Sequence, residues 1–222
     1  MTLPEINNLV SDRLSVGVNV FWDIAVKDGA ALTAFIGKEI PLITASHTKE
    51  LPPGFSFSRK LYRAFSVDPT KHRPSSEALW RRMKKGMPFP FVNPFVDLTN
   101  FLSLKYQVSY GLYDLDKIEG EMEITQGGEG DGYEGIRKNT INLNGKILLR
   151  DSRGPFGNPS SDSLRTSTTE ESVNVMQVIF FHTGDPLKET ILSESHGQFL
   201  EFFNLSESHS KLETNSKLQI PD

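Results

Sequence analysis

Between Val16 and Val26 apolar side chains recur at every second position. Val16, Val18, Val20, Trp22, Ile24 and Val26 alternate with Gly17, Asn19, Phe21, Asp23 and Ala25. A period of two held over eleven residues fits a strand and no helix. The chain is therefore committed to a sheet, and Lys27-Asp28-Gly29 supplies the turn that ends this strand. A second run, Val173 to His182, is apolar almost throughout and reads as a central strand.

Other segments carry helical spacing. Pro4–Leu14 reads as a short amphipathic helix, with Ile6, Leu9, Val10 and Leu14 near that spacing. Residues 30–40 read as a second helix and Leu51-Pro52-Pro53-Gly54 as a loop. After the prolines of Asp68–Pro74, Ser75 and Ser76 are candidate N-caps for a helix over Glu77–Lys85 that stops at Gly86. Asn93-Pro94 opens a further helix, and Leu187–Phe203 reads as the last. Glu121–Thr125, Thr140–Leu143 and Lys146–Arg150 are strand candidates, the last two joined by the hairpin signal Asn144-Gly145. Arg153–Ser163 reads as an irregular loop, and residues 206–222 as a polar tail. Helices and strands mix without strict alternation, so the expected class is α+β, with a largely antiparallel sheet and flanking helices.

At 222 residues, with 37% hydrophobic and 23% charged residues, the chain is long enough for a core without staples. It contains no cysteine, which excludes disulfides, thiolate metal sites and a thiol nucleophile. The N-terminal Met1-Thr2-Leu3-Pro4-Glu5 does not read as a secretory signal, and a cytoplasmic location is expected. Net charge is −4 but unevenly spread. Arg59 to Lys85 holds nine basic residues against Asp68 and Glu77, or +7, leaving −11 on the rest. An acidic body with one basic segment can hold a phosphate backbone locally; a solvated helix face with internal ion pairs is the plainer alternative.

No phosphate-cradling loop, zinc-spaced histidine pair or nucleophile elbow is present. Gly127–Gly132 is glycine-rich but acidic, and His47, His72, His182, His196 and His209 have no ligand spacing, so no metal or cofactor is expected. Three segments hold more polar groups than packing needs. They are Asp68–Arg82; Asn93, Asp97 and Asn100 with Tyr110, Gly111, Tyr113, Asp114 and Asp116; and Asp151–Gly154 with Ser161, Asp162, Arg165 and Thr166. Asn93, Asp97 and Asn100 share one helix face.

The order of these segments resembles a known family. Asp-Pro-Thr-Lys-His-Arg-Pro-Ser-Ser-Glu-Ala-Leu (68–79) is followed by Arg81-Arg82, then Asn-Pro-Phe-Val-Asp-Leu-Thr-Asn (93–100), then Tyr-Gly-Leu-Tyr-Asp-Leu-Asp (110–116). This is similar to the B3/B4 domain, the tRNA-binding and editing domain of the phenylalanyl-tRNA synthetase β subunit. The likeness spans about residues 15–205 and is sharpest over 59–120. It implies one free-standing domain over 1–205, with a pocket between two subdomains. It also implies an aminoacyl ester as substrate, tRNA or aminoacyl-tRNA as partner, and no cofactor.

By that resemblance Asp162 and Tyr113 are the catalytic candidates. Asn93, Asp97, Asn100, Tyr110, Gly111, Asp114, Ser161, Arg165 and Thr166 line the pocket, and Lys71, Arg73, Arg81, Arg82, Lys84 and Lys85 hold tRNA. Donors for a developing oxyanion would come from backbone amides of the 153–163 loop. Two departures stand out. Matching Tyr113-Asp114 to the family's Phe-Asp puts Gly111 where a pocket histidine is expected. In the region of the pocket glutamate, Asp162 is the nearest acidic group. The implied function is tRNA binding with hydrolysis of mischarged aminoacyl-tRNA in trans. The alternative is an inactive module binding RNA or a small amino-acid-like ligand.

Overall fold

The computed structural model describes residues 6–26, 29–45 and 51–214. In chain order these form β1 (Ile6–Asn8), β2 (Leu14–Phe21), α1 (Ala30–Ala45), α2 (Phe55–Ala64), α3 (Ser75–Lys84) and α4 (Pro94–Tyr106). There follow β3 (Ser109–Asp114), β4 (Met122–Gln126), β5 (Gly132–Glu134), β6 (Thr140–Asn142), β7 (Ile147–Asp151) and β8 (Gly154–Gly157). The chain ends with β9 (Val175–His182), α5 (Lys188–Phe203) and β10 (Ser210–Thr214). The class is α+β.

One four-stranded sheet has the order β10-β2-β9-β3, every pair antiparallel. A second has the order β1-β4-β7-β8, antiparallel except for the parallel β1–β4 pair. β5 and β6 form a separate hairpin. Alternate residues of the first sheet feed two cores. On β9, Val175, Ile179 and Phe181 join the helical side, with Phe95, Phe101, Ile191 and Phe199. Met176, Val178 and Phe180 face the second sheet, with Val16, Val18, Ile124, Leu149 and Phe156. The molecule is thus layered helices, sheet, sheet. Burial of both faces explains why β9 reads as a nearly continuous apolar run.

Within this apolar sheet one polar pair is buried. Asn19 and Gln177 sit opposite each other in the β2–β9 register, and Asn19 Nδ2 donates to Gln177 Oε1 at 3.0 Å. A one-residue slip of either strand would turn its amide to the other face, away from its partner, so the pair pins the register.

Several sequence expectations are corrected. The helix read over Pro4–Leu14 does not form across its described part, residues 6–14: Ile6–Asn8 pairs with Met122–Ile124, and the Asn8 side chain organises the following turn by accepting from Val10 N and donating to the Leu14 carbonyl. Pro4, the turn residues Lys27 and Asp28, His47 and the N-terminal five residues lie outside the described residues. The Asn144-Gly145 turn forms, with Gly145 at φ 73°, but does not make a hairpin of its flanking strands. β6 pairs with β5 and β7 with β4 and β8, because Gly145 N and Gly127 N tie the turn to the end of β4.

Arg153–Ser163 is only partly irregular, since residues 154–157 are β8. The expected polar tail is ordered up to Thr214, because β10 adds to the edge of β2; residues 215–222 lie outside the described residues. Pro74, not Ser75 or Ser76, precedes α3, and both serine hydroxyls are buried in its first turn without a partner. No helix among the described residues is long and apolar enough to cross a membrane.

Candidate functional site

Alternation along β3 decides what the site contains. Tyr110 and Leu112 face the helices, whereas Gly111 and Tyr113 face the second sheet. Tyr113 is fully buried, and its phenol runs back along the strand between two glycines. A Cβ on Gly111 would lie 2.1 Å from the Tyr113 hydroxyl, and one on Gly157 of β8 would lie 2.2 Å from it. The two glycines grip opposite ring edges, and Phe156 meets the ring edge-on at 5.0 Å. The space left by the missing side chain at position 111 is therefore filled by the chain's own tyrosine.

Asp162 closes the end of this slot. Its Oδ1 accepts from the Tyr113 hydroxyl at 2.8 Å and its Oδ2 from Leu112 N at 3.3 Å. Burial pushes the Asp162 carboxyl up to about 7, against the hydrogen bonds from Tyr113 and the backbone N–H groups of Leu112 and Asn158. Burial and the nearby Asp162 charge raise the Tyr113 phenol well above its ordinary value, so it stays a donor. Asp162 forms no ion pair among the described residues.

The loop carrying Asp162 is held from several sides. Tyr133 on β5 donates to the Ser161 carbonyl, Tyr62 on α2 bonds Ser160 Oγ at 2.6 Å, and Gly135 bridges Ser163. Asn158 Oδ1 accepts from Ser160 N and Ser161 N, and Ser163 N donates to the Phe156 carbonyl. Three of the 153–163 amides expected as oxyanion donors, Ser160 N, Ser161 N and Ser163 N, are thus used within the fold. The space between Tyr62, Lys146, Asn158 and Ser160 measures about 10 Å³, room for about one water. A wider, open groove of about 520 Å³ runs along β5–β6, where Asp131, Glu134 and Lys138 line it.

Tyr113, Gly111, Ser161 and Asp162 thus come together. The remaining pocket candidates do not. Asn93 caps α4 by accepting from Val96 N at 3.0 Å, Asp97 accepts from Val92 N at 2.7 Å, and Asn100 lies partly exposed on the same helix. Burial raises Asp97 above the usual carboxylate range. Tyr110 bonds Ser195 on α5 at 2.8 Å, on the other face of β3. Asp114 accepts from Asp116 N and Ser172 Oγ and pairs with Lys117.

Arg165 makes a bidentate pair with Asp151, and Thr166 bonds Ser163. These groups knit loops together. Sequence reading missed Tyr62, Tyr133, Asn158 and Gly157. Asn158-Pro159 is a turn signal that marks the loop, but nothing local announces that Gly157 meets Tyr113 or that the two tyrosines hold the loop of Asp162.

The basic segment divides in two. Glu77, fully buried, accepts from Arg59 at 2.7 Å and from Arg81 at 2.8 Å. Burial raises the Glu77 carboxyl, but the two guanidinium partners outweigh it and hold the group below its ordinary value. Arg81 is therefore structural. Lys71, Arg73, Arg82, Lys84 and Lys85 form no ion pair among the described residues, and none meets Asp97, Asp114 or Asp116. Lys71, Arg73, Lys84 and Lys85 are exposed. α3 links this surface to the site, since Ser75 N donates to the Pro159 carbonyl. No group of three or more side chains able to hold a metal occurs among the described residues.

Comparison with curated proteins finds no match. Among solved structures, an N-terminal fragment of the phenylalanyl-tRNA synthetase β-subunit from Pyrococcus horikoshii is similar at 12% identity and a TM-score of 0.49. The match covers 96% of this chain and 50% of that one, so the chain spans about half the length of that fragment. The B3/4 domain model matches residues 58–190, from within α2 through β3–β9 into the start of α5. With that match taking in the loop of Asp162, the slot of Tyr113 and the whole basic segment from Arg59, the chain belongs to the B3/4 domain family.

Proposed function

We propose that this protein is a tRNA-binding module that holds the phosphate backbone on the outer surface of α3 and the segment before it. One observation carries the reading. Within a chain of net charge −4, Lys71, Arg73, Arg82, Lys84 and Lys85 fall close together in the sequence and form no ion pair among the described residues. Family membership supports the same class of ligand. The site at Tyr113 supports binding over turnover: its slot is filled, three of its loop amides are engaged, and the adjacent space holds about one water. A cytoplasmic location goes with this reading.

The test is retention of tRNA by the whole protein across a salt series. Each phosphate contact contributes about −0.7 to −0.9 to the slope of log K against log salt. The variant Arg82→Ala/Lys84→Ala/Lys85→Ala should flatten the slope by about two to three. An unchanged slope would remove α3 from the interface, and no retention at low salt would remove the function. A second reading, hydrolysis of mischarged aminoacyl-tRNA, rests on Asp162, whose carboxyl near 7 suits a general base. Deacylation of a panel of charged tRNAs, lost in Asp162→Asn, would favour it over the binding module.

A further inference from the structure

The segment that follows α3 is built as a rigid display. Gly86, at φ 72°, turns the chain out of the helix, and Pro88 and Pro90 fix the backbone beyond it. Met87 N donates to the Arg82 carbonyl and Arg82 Nε to the Pro88 carbonyl at 3.1 Å. At the far end Val92 N donates to the Asp97 carboxylate at 2.7 Å. Phe89 is buried among the helices, and Phe91 packs its ring against it at 5.0 Å, edge to face. Yet Phe91 keeps 46% of its surface exposed, Val92 67% and Met87 46%.

Large apolar side chains held this firmly in water need a reason. Their setting supplies one. From Ala78 to Val96 the chain has no acidic residue, and the neighbouring unpaired charges are Arg82, Lys84 and Lys85. Arg82 is tied to this segment through the Pro88 carbonyl, and Lys84, which reaches the Thr44 carbonyl, and Lys85 follow it in the chain, none of them ion-paired with a carboxylate among the described residues. An aromatic side chain fixed beside such cations is the pairing that single-stranded nucleic acid recognises: phosphates meet the cations while an unstacked base covers the ring. A protein partner would use the apolar patch but leave three desolvated cations to be matched. Because prolines and hydrogen bonds already order the segment, docking would cost little conformational entropy.

We propose that Phe91 is a base-stacking platform and that the 86–92 segment, with the last turn of α3, takes a single-stranded stretch of RNA. This rests on the RNA-binding reading above and names the form of RNA and the residue that reads it. A short oligoadenylate and a blunt RNA duplex are the probes, with fluorescence and filter retention as readouts. Phe91→Ala should weaken oligoadenylate binding roughly tenfold, the loss of one stacked base. It should leave duplex binding and the salt slope unchanged, and Phe91→Trp should restore or tighten the complex.

Circular dichroism of Phe91→Ala identical to the parent excludes misfolding. If Phe91→Ala binds oligoadenylate like the parent while Lys84→Ala/Lys85→Ala weakens both probes, the platform is refuted and the RNA-binding reading stands. If the parent retains neither probe at low salt, both fall. If Phe91→Ala instead abolishes self-association in sedimentation and leaves RNA binding intact, the patch is an interface between copies and the platform is refuted.

Discussion

Gly111→Ala probes whether Tyr113 truly occupies the slot between β3 and β8. The new Cβ would lie 2.1 Å from the Tyr113 hydroxyl and 2.6 Å from Cζ, so the ring must move by more than an ångström. It has little room: Gly157 flanks the opposite edge, where an added Cβ would also lie 2.2 Å from the hydroxyl, Phe156 meets the ring at 5.0 Å between centroids, and Asp162 holds the hydroxyl at 2.8 Å. Overpacking of this kind costs about 1–3 kcal/mol, and displacing the hydroxyl adds about 1 kcal/mol for the lost hydrogen bond. The expected destabilisation is about 2–4 kcal/mol.

In a Tyr113→Ala background, itself about 3–5 kcal/mol less stable, the sign should reverse. The clash is gone, Gly111 is not in the left-handed region, and a glycine-to-alanine change there stabilises by about 0.4–1 kcal/mol. Urea unfolding of the four proteins completes the cycle, with coupling of about 3 kcal/mol expected. Equal effects of Gly111→Ala in both backgrounds, within about 0.5 kcal/mol, would refute the occupied slot.

Asp162, raised to about 7, holds its proton more tightly folded than unfolded. Stability should therefore be highest below pH 4 with respect to this group and fall, by up to about 1.4 kcal/mol per pH unit, from there to pH 7. Urea midpoints of Asp162→Asn should lose that component of the slope. Glu77 runs oppositely: its lowered value means its contribution is present above about pH 4.5 and lost as acid protonates it. Glu77→Ala should cost about 1–3 kcal/mol in the same assay, since it removes the charge-assisted hydrogen bonds from Arg59 and Arg81 while leaving both partly exposed guanidiniums open to water. Asn93→Ala should cost about 1 kcal/mol through loss of the α4 cap, and a thermal melt unchanged from the parent would contradict that role.

What sequence made legible was the local part. Period two marked β2, an unbroken apolar run marked β9, and Asn93-Pro94 placed the start of α4 to the residue, because cap and period are properties of a few neighbouring side chains. Errors arose where distant partners decide. Ile6–Asn8 has helical spacing nearby but finds Met122–Ile124, and a good hairpin turn at Asn144-Gly145 lost its strands to other neighbours. The site shows the same division. Asp162 and Tyr113 were singled out together and are hydrogen-bonded. Asn93, Tyr110, Asp114 and Arg165 were singled out with them but turned to capping, the opposite face or loop ties, since orientation on β3 and partners on other elements are not written locally.

The antiparallel order β10-β2-β9-β3 has a consequence for synthesis. β2 leaves the ribosome well before its neighbours: it ends at Phe21, whereas β9 and β10 start only at residues 175 and 210. At roughly 5–20 residues per second, one edge of this apolar strand waits roughly 8–30 seconds for β9 and the other roughly 10–40 seconds for β10. Over that interval the nascent chain carries an open template for strand addition. Holding factors that cover early strands should therefore govern yield more than the stability of the finished fold does, and slowing translation of the second half should lower it.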